Sequence, residues 1–207
     1  MKLVAGKGII RRTLQWTQRA LFACAVLLLG YCGFACADSW VFQWRQSRDL
    51  DQLRVALVAS QGTPQPSPSA PPKGLIGRIG IPRLSFSAIV VEGIDRATLR
   101  RAIGHIPGTA LPGQPGNVGL AGHRDALFRP LRNLKVDDEI RFSTPSGDFR
   151  YEVESLRIVD PNDVSVLAAS GQNVLTLVTC YPFYYVGPAP KRWIVRARQV
   201  SSLTPAL

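Results

Sequence analysis

A proline-rich run divides this chain. Residues 61–73 read QGTPQPSPSAPPK, with proline at positions 64, 66, 68, 71 and 72. Proline fixes φ and has no backbone N–H, so neither a helix nor a paired strand can continue through such a run. A segment of this composition is typical of a semi-stiff extended spacer. The chain is therefore expected to fold as two separate parts, one on each side of a spacer over 61–73.

The N-terminal part carries the pattern of a membrane anchor. Lys2, Lys7, Arg11, Arg12 and Arg19 all precede the first acidic residue. The charge-free stretch ALFACAVLLLGYCGFACA (20–37) follows, and as a helix it reaches about 27 Å, close to the thickness of a bilayer core. Because Lys and Arg stay on the cytoplasmic side, we predict a cytoplasmic tail over 1–19 and a transmembrane signal-anchor over 20–37.

A cleaved signal peptide is the alternative, since ACA before Asp38 resembles a small-residue cleavage site. The uncleaved anchor is favoured because residues 38–60 have apolar residues at helical spacing, with Trp40 and Trp44 placed to suit the membrane interface. We therefore predict a juxtamembrane helix over 38–60. A lipoprotein is disfavoured, because no apolar run lies between Arg19 and Cys24.

The charge distribution argues against nucleic-acid binding. Residues 1–73 hold nine Lys or Arg and three Asp or Glu, whereas residues 74–207 hold sixteen and eleven. The positive charge is thus a cluster beside the anchor plus scattered arginines, without a basic helix or interleaved aromatic residues. Clustered acidic ligands or Cys/His sets are also lacking, so neither a metal nor a cofactor is predicted.

Residues 74–207 have the short-period pattern of a mainly β domain. Apolar stretches of strand length alternate with turn residues, and SGD at 146–148 marks a hairpin turn. Asp95 is positioned to cap one or two helical turns over 95–103. With seven or eight strands and no long helix, the pattern favours a closed or nearly closed β-barrel with short helices. The predicted strands lie within 75–82, 84–93, 117–123, 139–159, 173–180 and 192–200.

Cys180 is the one cysteine of this β domain. It ends the apolar strand NVLTLVTC and is followed by Pro182, while the other three cysteines lie in the segment 20–37. A thiol without a disulfide partner at a strand end is a candidate nucleophile, and a buried structural cysteine is the alternative.

A nucleophilic thiol needs a proton partner and a group that stabilises an oxyanion. His123 ends the strand NVGLAGH, so it could meet Cys180 at one rim of a barrel, and Asp125 could orient it or face solvent. His105 is expected to be a surface or capping residue. Arginines at 192, 196 and 198 lie on one face of the last strand, and periodicity does not choose among them, although Arg192 opens the strand.

These residues carry a resemblance to a known family. TLVTC (176–180), the downstream KRWIV and the upstream GNVGLAGHRD resemble the motifs of sortases, the cysteine transpeptidases of bacterial cell envelopes. The stretch GHIPGTALPGQPGN is similar to the class D-like branch. The resemblance extends from Gly74 to Val200, and the anchor and spacer match the family's usual arrangement. It implies a sortase catalytic domain over 74–207.

The resemblance implies roles for four residues. Cys180 would be the nucleophile, His123 the general acid/base, Arg192 the oxyanion stabiliser, and Thr179 would line the substrate groove. The enzyme would cleave an LPxTG-like sorting signal of a secreted protein and transfer the acyl group to an amine in the cell envelope, without a cofactor. It would be a single-pass protein of the bacterial cytoplasmic membrane, with its N-terminus inside and its catalytic domain outside. Residues 157–173 are expected to set substrate choice.

Two other function classes remain open from the residues alone. One is a different extracytoplasmic cysteine enzyme, a peptidase or an L,D-transpeptidase, although TCYPFYY lacks the arginine expected shortly after the cysteine of the latter. The other is a non-catalytic, membrane-tethered β-domain used for binding, for which Cys180 would be dispensable.

Overall fold

The computed structural model describes residues 5–59 and 74–203. The predicted spacer over 61–73 lies outside the described residues, as do the two ends of the chain. The chain divides into two compact units, Met1–Val41 and Phe42–Leu207.

One helix, α1, runs from Ala5 to Ala59 and so includes both the predicted anchor and the predicted juxtamembrane helix. Its part from Arg11 to Gln52 is long and apolar enough to cross a membrane. Within the first unit the apolar side chains of this part, such as Leu27 and Phe34, are exposed. An apolar helix surface without protein contacts is what a lipid environment requires.

The second unit is built on a closed eight-stranded barrel, which confirms the predicted fold class. Around the barrel the strands follow the order β1-β2-β3-β4-β7-β8-β6-β5, and β5 pairs with β1 to close it. Most neighbours are antiparallel, whereas β2 with β3 and β4 with β7 are parallel. The strands are β1 Leu75–Ile81, β2 Phe86–Glu92, β3 Ile103–His105, β4 Asn117–Ala121, β5 Glu139–Thr144, β6 Gly147–Val159, β7 Val174–Tyr181 and β8 Lys191–Leu203.

The helices that connect the strands of the barrel are short. Helix α2 spans Arg96–Leu99, and the Asp95 carboxylate accepts hydrogen bonds from the backbone N–H groups of Ala97 and Thr98, as predicted for its cap. Single 3-10 turns lie at Pro82–Leu84, Arg129–Asn133 and Val164–Leu167.

The barrel interior is filled by alternate residues of the strands. Leu175 and Leu177 of β7 belong to the buried core, together with Leu120 of β4 and Val195 of β8. Since side chains alternate across a strand, the residues between them face the outside of the barrel. On β7 these outward residues include Val178 and Cys180.

The second part of α1 packs on the barrel within this unit. Leu50 is fully buried and clusters with Leu75, Ile89, Val91 and Ala102, with Phe42 packed against them. The Gln43 side chain accepts a hydrogen bond from the Ile89 N–H at 2.8 Å and donates one to the Arg101 carbonyl at 2.5 Å. Residues 42–51 are therefore more than a connector, because they cover an apolar face of β1, β2 and the segment between α2 and β3.

Two details of the sequence prediction are wrong. Strand β4 ends at Ala121, not at His123, because the His123 carbonyl accepts hydrogen bonds from Ala126 N and Phe128 N and so begins a turn. His105 is not a surface residue. It ends β3 with 3% of its surface exposed, and its Nδ1 lies 2.7 Å from the Glu92 carboxylate.

Candidate active site

Cys180 lies on the central one of three neighbouring strands. In the antiparallel register of β7 and β8 it is directly opposite Arg192. Opposed residues of an antiparallel pair project to the same face, so the half-buried thiol and the guanidinium share the outer face of the barrel.

His123 reaches the same end of the sheet from the other side of β7. Strands β4 and β7 are parallel, with Ala121 level with Val178. Two residues further along each chain are His123 and Cys180. The pairing continues past the end of β4, because Gly122 N donates to the Val178 carbonyl at 3.2 Å. The structure thus brings His123, Cys180 and Arg192 to one end of β4, β7 and β8.

The three arginines of β8 have different surroundings. Arg196 and Arg198 pair with carboxylates of β6, at 3.5 Å to Glu154 and 2.7 Å to Glu152. Arg192 instead donates from Nη1 to the backbone carbonyls of Lys191 at 3.1 Å and Ala189 at 3.3 Å. Of the three, Arg192 is the one opposite Cys180, which is the distinction that periodicity could not make.

Thr179 faces the barrel interior. Its side chain is 3% exposed, and its hydroxyl donates to the Gly122 carbonyl at 2.8 Å. This bond connects the residue before Cys180 with the residue before His123. Any contact of Thr179 with a substrate on the outer face would have to use its backbone.

Asn117 is a buried polar residue that the sequence analysis did not single out. It is buried at the start of β4, where its Oδ1 accepts from the Thr176 hydroxyl at 2.8 Å. Its Nδ2 donates to the carbonyls of Val166 and Ala168, at 3.1 and 3.3 Å, and so holds the β6–β7 loop. The sequence feature that could have indicated it is a polar residue at the start of the otherwise apolar strand β4.

The β6–β7 loop packs over the outer face of β4 at Gly119. A Cβ at that position would lie 3.0 Å from Thr109 Cγ2 and 3.1 Å from Leu167 Cδ2. The absence of a side chain lets this loop and the β3–β4 loop approach the strand that leads to His123.

Aromatic residues follow Cys180. Phe183 packs edge-on against Tyr181 and Trp193, with ring centres 6.2 and 6.0 Å apart. Tyr184 and Tyr185 are 77% and 46% exposed. The aromatic run 183–185 therefore divides into a packed ring and two rings open to solvent. Asp125, two residues after His123 in sequence, is exposed.

The arrangement suits acyl transfer at a thiol. A thiolate is a strong nucleophile, an imidazole can donate or accept the proton that acyl transfer requires, and a guanidinium can stabilise an oxyanion. Within residues 5–59 and 74–203, no group of three His, Cys, Asp or Glu side chains could hold a metal ion.

Comparison with known sequences points to one family. The family model described as the sortase domain matches residues 79–200. Sortase D of Bacillus subtilis (strain 168) is 31% identical over 193 residues, which cover 87% of this chain and 96% of that protein. Sortase A of Listeria monocytogenes serovar 1/2a is 29% identical over 110 residues, covering 51% of this chain and 49% of that protein.

Solved structures share the barrel. A Clostridium perfringens sortase D5 transpeptidase superposes with a TM-score of 0.62 at 24% identity, covering 79% of this chain and 98% of that one. A lid mutant of sortase A from Corynebacterium diphtheriae superposes with a TM-score of 0.60 at 29% identity, covering 77% and 95%. The family match, the full-length relative and the common barrel show that this chain belongs to the sortases, a family of cysteine transpeptidases.

Proposed function

We propose that this sortase cleaves an LPxTG-like sorting signal in secreted proteins through a thioacyl intermediate on Cys180 and transfers the acyl group to an amine. One observation carries the proposal: Cys180 lies opposite Arg192 in the register of β7 and β8, and level with His123 beyond the end of β4. The family and the motif TLVTC support the same assignment.

In the first half-reaction the Cys180 sulfur attacks the scissile carbonyl carbon. The carbonyl oxygen becomes an oxyanion, and Arg192 stabilises its negative charge with a guanidinium N–H. His123 gives a proton to the leaving nitrogen as the C–N bond breaks. The products are a thioester on Cys180 and the free amine of the released C-terminal peptide.

In the second half-reaction an acceptor amine attacks the thioester carbon. His123 takes the amine proton, Arg192 again stabilises the oxyanion, and the thiolate of Cys180 leaves. The product is a new amide, and the enzyme returns to its starting state. Water in place of the amine would give hydrolysis, so the ratio of amide to acid depends on which nucleophile reaches the thioester.

The walls of the site are assigned to the loops that flank β7. The β6–β7 loop, within the segment 157–173 that we expect to set substrate choice, is held by Asn117 against the outer face of β4. Thr179 would contribute to the groove through its backbone, because its side chain is buried.

We also propose a single-pass orientation in a bacterial cytoplasmic membrane. The basic tail over 1–19 would remain inside, residues 20–37 would span the bilayer, and the catalytic domain over 74–207 would lie outside. The helix that is long and apolar enough for a span and the cluster of five cations before it support this orientation. Secreted proteins and an amine acceptor of the cell envelope would then be on the same side as Cys180.

Intact mass spectrometry of the full chain in detergent would test the proposal. The protein is mixed with a library of Leu-Pro-containing peptides, with and without an added amine, beside Cys180→Ala. We expect a mass increase equal to the acyl fragment in the wild type alone, and an amide product when the amine is present. Hydrolysis that the amine never diverts would indicate a peptidase, and an equal mass increase in Cys180→Ala would contradict the nucleophile assignment.

A further inference from the structure

Arg124 connects the segment after His123 with the loop that joins Cys180 to Arg192. Its Nη2 donates to the carbonyls of Tyr185 at 2.6 Å and Gly187 at 3.1 Å. Its guanidinium also lies 5.8 Å from the centre of the Tyr185 ring. Both carbonyls belong to the β7–β8 loop (182–190), which begins two residues after Cys180 and ends two residues before Arg192.

The contact of Arg124 with the β7–β8 loop concerns His123, Cys180 and Arg192 because of where each lies along the chain. Arg124 is covalently next to His123, while the β7–β8 loop is continuous with the strand ends that carry Cys180 and Arg192. A displacement of this loop relative to Arg124 would therefore move the histidine side of the site relative to the thiol side. The backbone hydrogen bond that extends the pairing of β4 with β7, from Gly122 N to the Val178 carbonyl, lies two residues before Cys180.

Arg124 is half-buried, whereas Tyr185 and Gly187, whose carbonyls it contacts, are exposed. Its Nη1 is buried and has no hydrogen-bond partner among the described residues. A buried charged donor without a partner is unfavourable for folding, and such groups call for an explanation. An explanation is that the same guanidinium binds two carbonyls of the β7–β8 loop through Nη2.

A second arginine contacts the same loop more weakly. The Arg132 guanidinium lies 5.2 Å from the Tyr184 ring centre and donates to the Tyr184 hydroxyl. Both side chains are exposed, and Tyr184 is 77% exposed. Solvent-exposed contacts of this kind contribute little. Arg124, rather than Arg132, is therefore the residue expected to hold the loop.

We propose that Arg124 is a positioning residue for acyl transfer. It holds the β7–β8 loop against the segment after His123 and so fixes His123 relative to Cys180 and Arg192. The catalytic part of this inference rests on the proposed function. An arginine suits this position because the planar guanidinium fixes the directions of the two N–H groups of Nη2, which donate to the two carbonyls, whereas a lysine has one ammonium on a flexible stem.

Limited chymotrypsin digestion of the full chain in detergent tests whether Arg124 holds the loop. Phe183, Tyr184 and Tyr185 are chymotrypsin sites within it. In Arg124→Lys and Arg124→Gln, cleavage after these residues is expected to be about tenfold faster, because local opening exposes the loop. Arg129→Lys is the matched control, an exposed arginine of the same segment. Wild-type cleavage rates in both Arg124 variants would overturn the proposal.

Steady-state kinetics tests the effect on the reaction. For Arg124→Lys we expect kcat of transpeptidation to fall by about 10- to 100-fold, since a small misplacement of reacting groups has an effect of this size. KM should change by less than about twofold and the Tm by a few degrees, because the substitution leaves the barrel strands and the β6–β7 loop unchanged. An unchanged kcat with a faster-cleaved loop would overturn the positioning role.

The two tests separate this inference from the proposed function. If the wild type forms no thioacyl enzyme with any peptide, the proposed function fails, and the digestion rates still decide whether Arg124 holds the loop. If the wild type is active and Arg124→Lys matches it in both measurements, the inference about Arg124 fails alone.

Discussion

The three arginines of β8 differ in what neutralises each guanidinium. Arg196 and Arg198 have carboxylate partners on β6, whereas the described contacts of Arg192 are with backbone carbonyls. A guanidinium that is not committed to a carboxylate keeps more of its positive charge for an oxyanion. Arg192 is therefore both the arginine opposite Cys180 and the one whose described contacts leave its charge without a carboxylate partner.

Replacing Arg192 tests its assigned role without removing the positive charge. In Arg192→Lys we expect kcat/KM to fall by about 100-fold, because an oxyanion donor contributes on that order and an ammonium cannot reproduce the fork. The Tm should shift little, since the guanidinium is half-buried and bonded to carbonyls of its own loop. Arg198→Lys, at an exposed ion pair, is the control and should keep wild-type turnover. Equal rates for the two variants would contradict the role of Arg192.

At the scale of single elements, β7 shows what sequence patterns can and cannot predict. Its apolar run predicted a strand over 173–180, and the strand is present at Val174–Tyr181, between β4 and β8. Both of its faces are apolar, so alternation could not tell that Leu177 fills the core while Val178 faces the outside of the barrel. The pairing with β4 depends on contacts across more than fifty residues of chain, which local periodicity does not encode.

The same limit explains the residues that the sequence analysis misplaced or missed. Cys180 and His123 were identifiable as candidates because thiol and imidazole chemistry is visible in residue type, whereas Arg192 was selected from three arginines only by the family resemblance. Asn117 and Arg124 donate hydrogen bonds to carbonyls of loops that are distant in sequence, which no local pattern predicts. His105 appeared to be a loop residue, yet it is buried because Glu92, Thr109 and the Ala110 carbonyl surround its ring nitrogens.

Asn117 allows a test of the β6–β7 loop as an element. In Asn117→Asp the Oδ acceptor remains but the donor to Val166 and Ala168 is lost, and a carboxylate is buried beside two carbonyls. We expect the loop to loosen and KM for the substrate peptide to rise by about tenfold, with a smaller change in kcat. Gln172→Glu, an exposed change in the same loop, is the control. A fall in kcat at constant KM would contradict a role in substrate binding.

An ion pair holds the turn after β1 against the start of β5. The Arg83 guanidinium donates to the Asp138 carboxylate and to the Asn133 carbonyl at 2.6 Å, while Asp138 also accepts from Lys135 N at 2.7 Å. The hydrogen bond from Arg83 lowers the pKa of the largely buried Asp138 from its ordinary 3.8, and the Lys135 N–H contributes. The contact should therefore depend on pH.

The sign of that dependence follows from the lowered pKa. Stabilisation by Asp138 is complete above pH 3.8 and is lost as the pH falls through the lower pKa of the folded state. We expect Asp138→Asn to lower the free energy of unfolding by about 1–3 kcal/mol at pH 7, and by less towards pH 2. Thermal unfolding of both proteins across this range is the measurement, with the exposed Asp160→Asn as control. A pH-independent difference would contradict the assignment.

At the scale of the whole molecule, the compact units do not divide at the proline-rich run. The division lies between Val41 and Phe42, inside α1. Apolar spacing over 38–60 was enough to predict a helix, but it could not show which of its residues meet the barrel. The barrel supplies the missing partner, since Leu75, Ile89, Val91 and Ala102 form an apolar patch outside the main core.

The contact of Leu50 with this patch makes α1 part of the stability of the catalytic unit. Truncating a fully buried leucine removes apolar contacts and leaves a cavity, so Leu50→Ala should lower the free energy of unfolding by about 2–4 kcal/mol. The measurement is thermal or denaturant unfolding of the full chain in detergent, and Trp44→Ala, on an exposed side of the same helix, should have little effect. If Leu50→Ala unfolded like the wild type, the helix would not be packed on the barrel in solution. A loss confined to Leu50→Ala would mean that the barrel needs residues before the proline-rich run for its full stability.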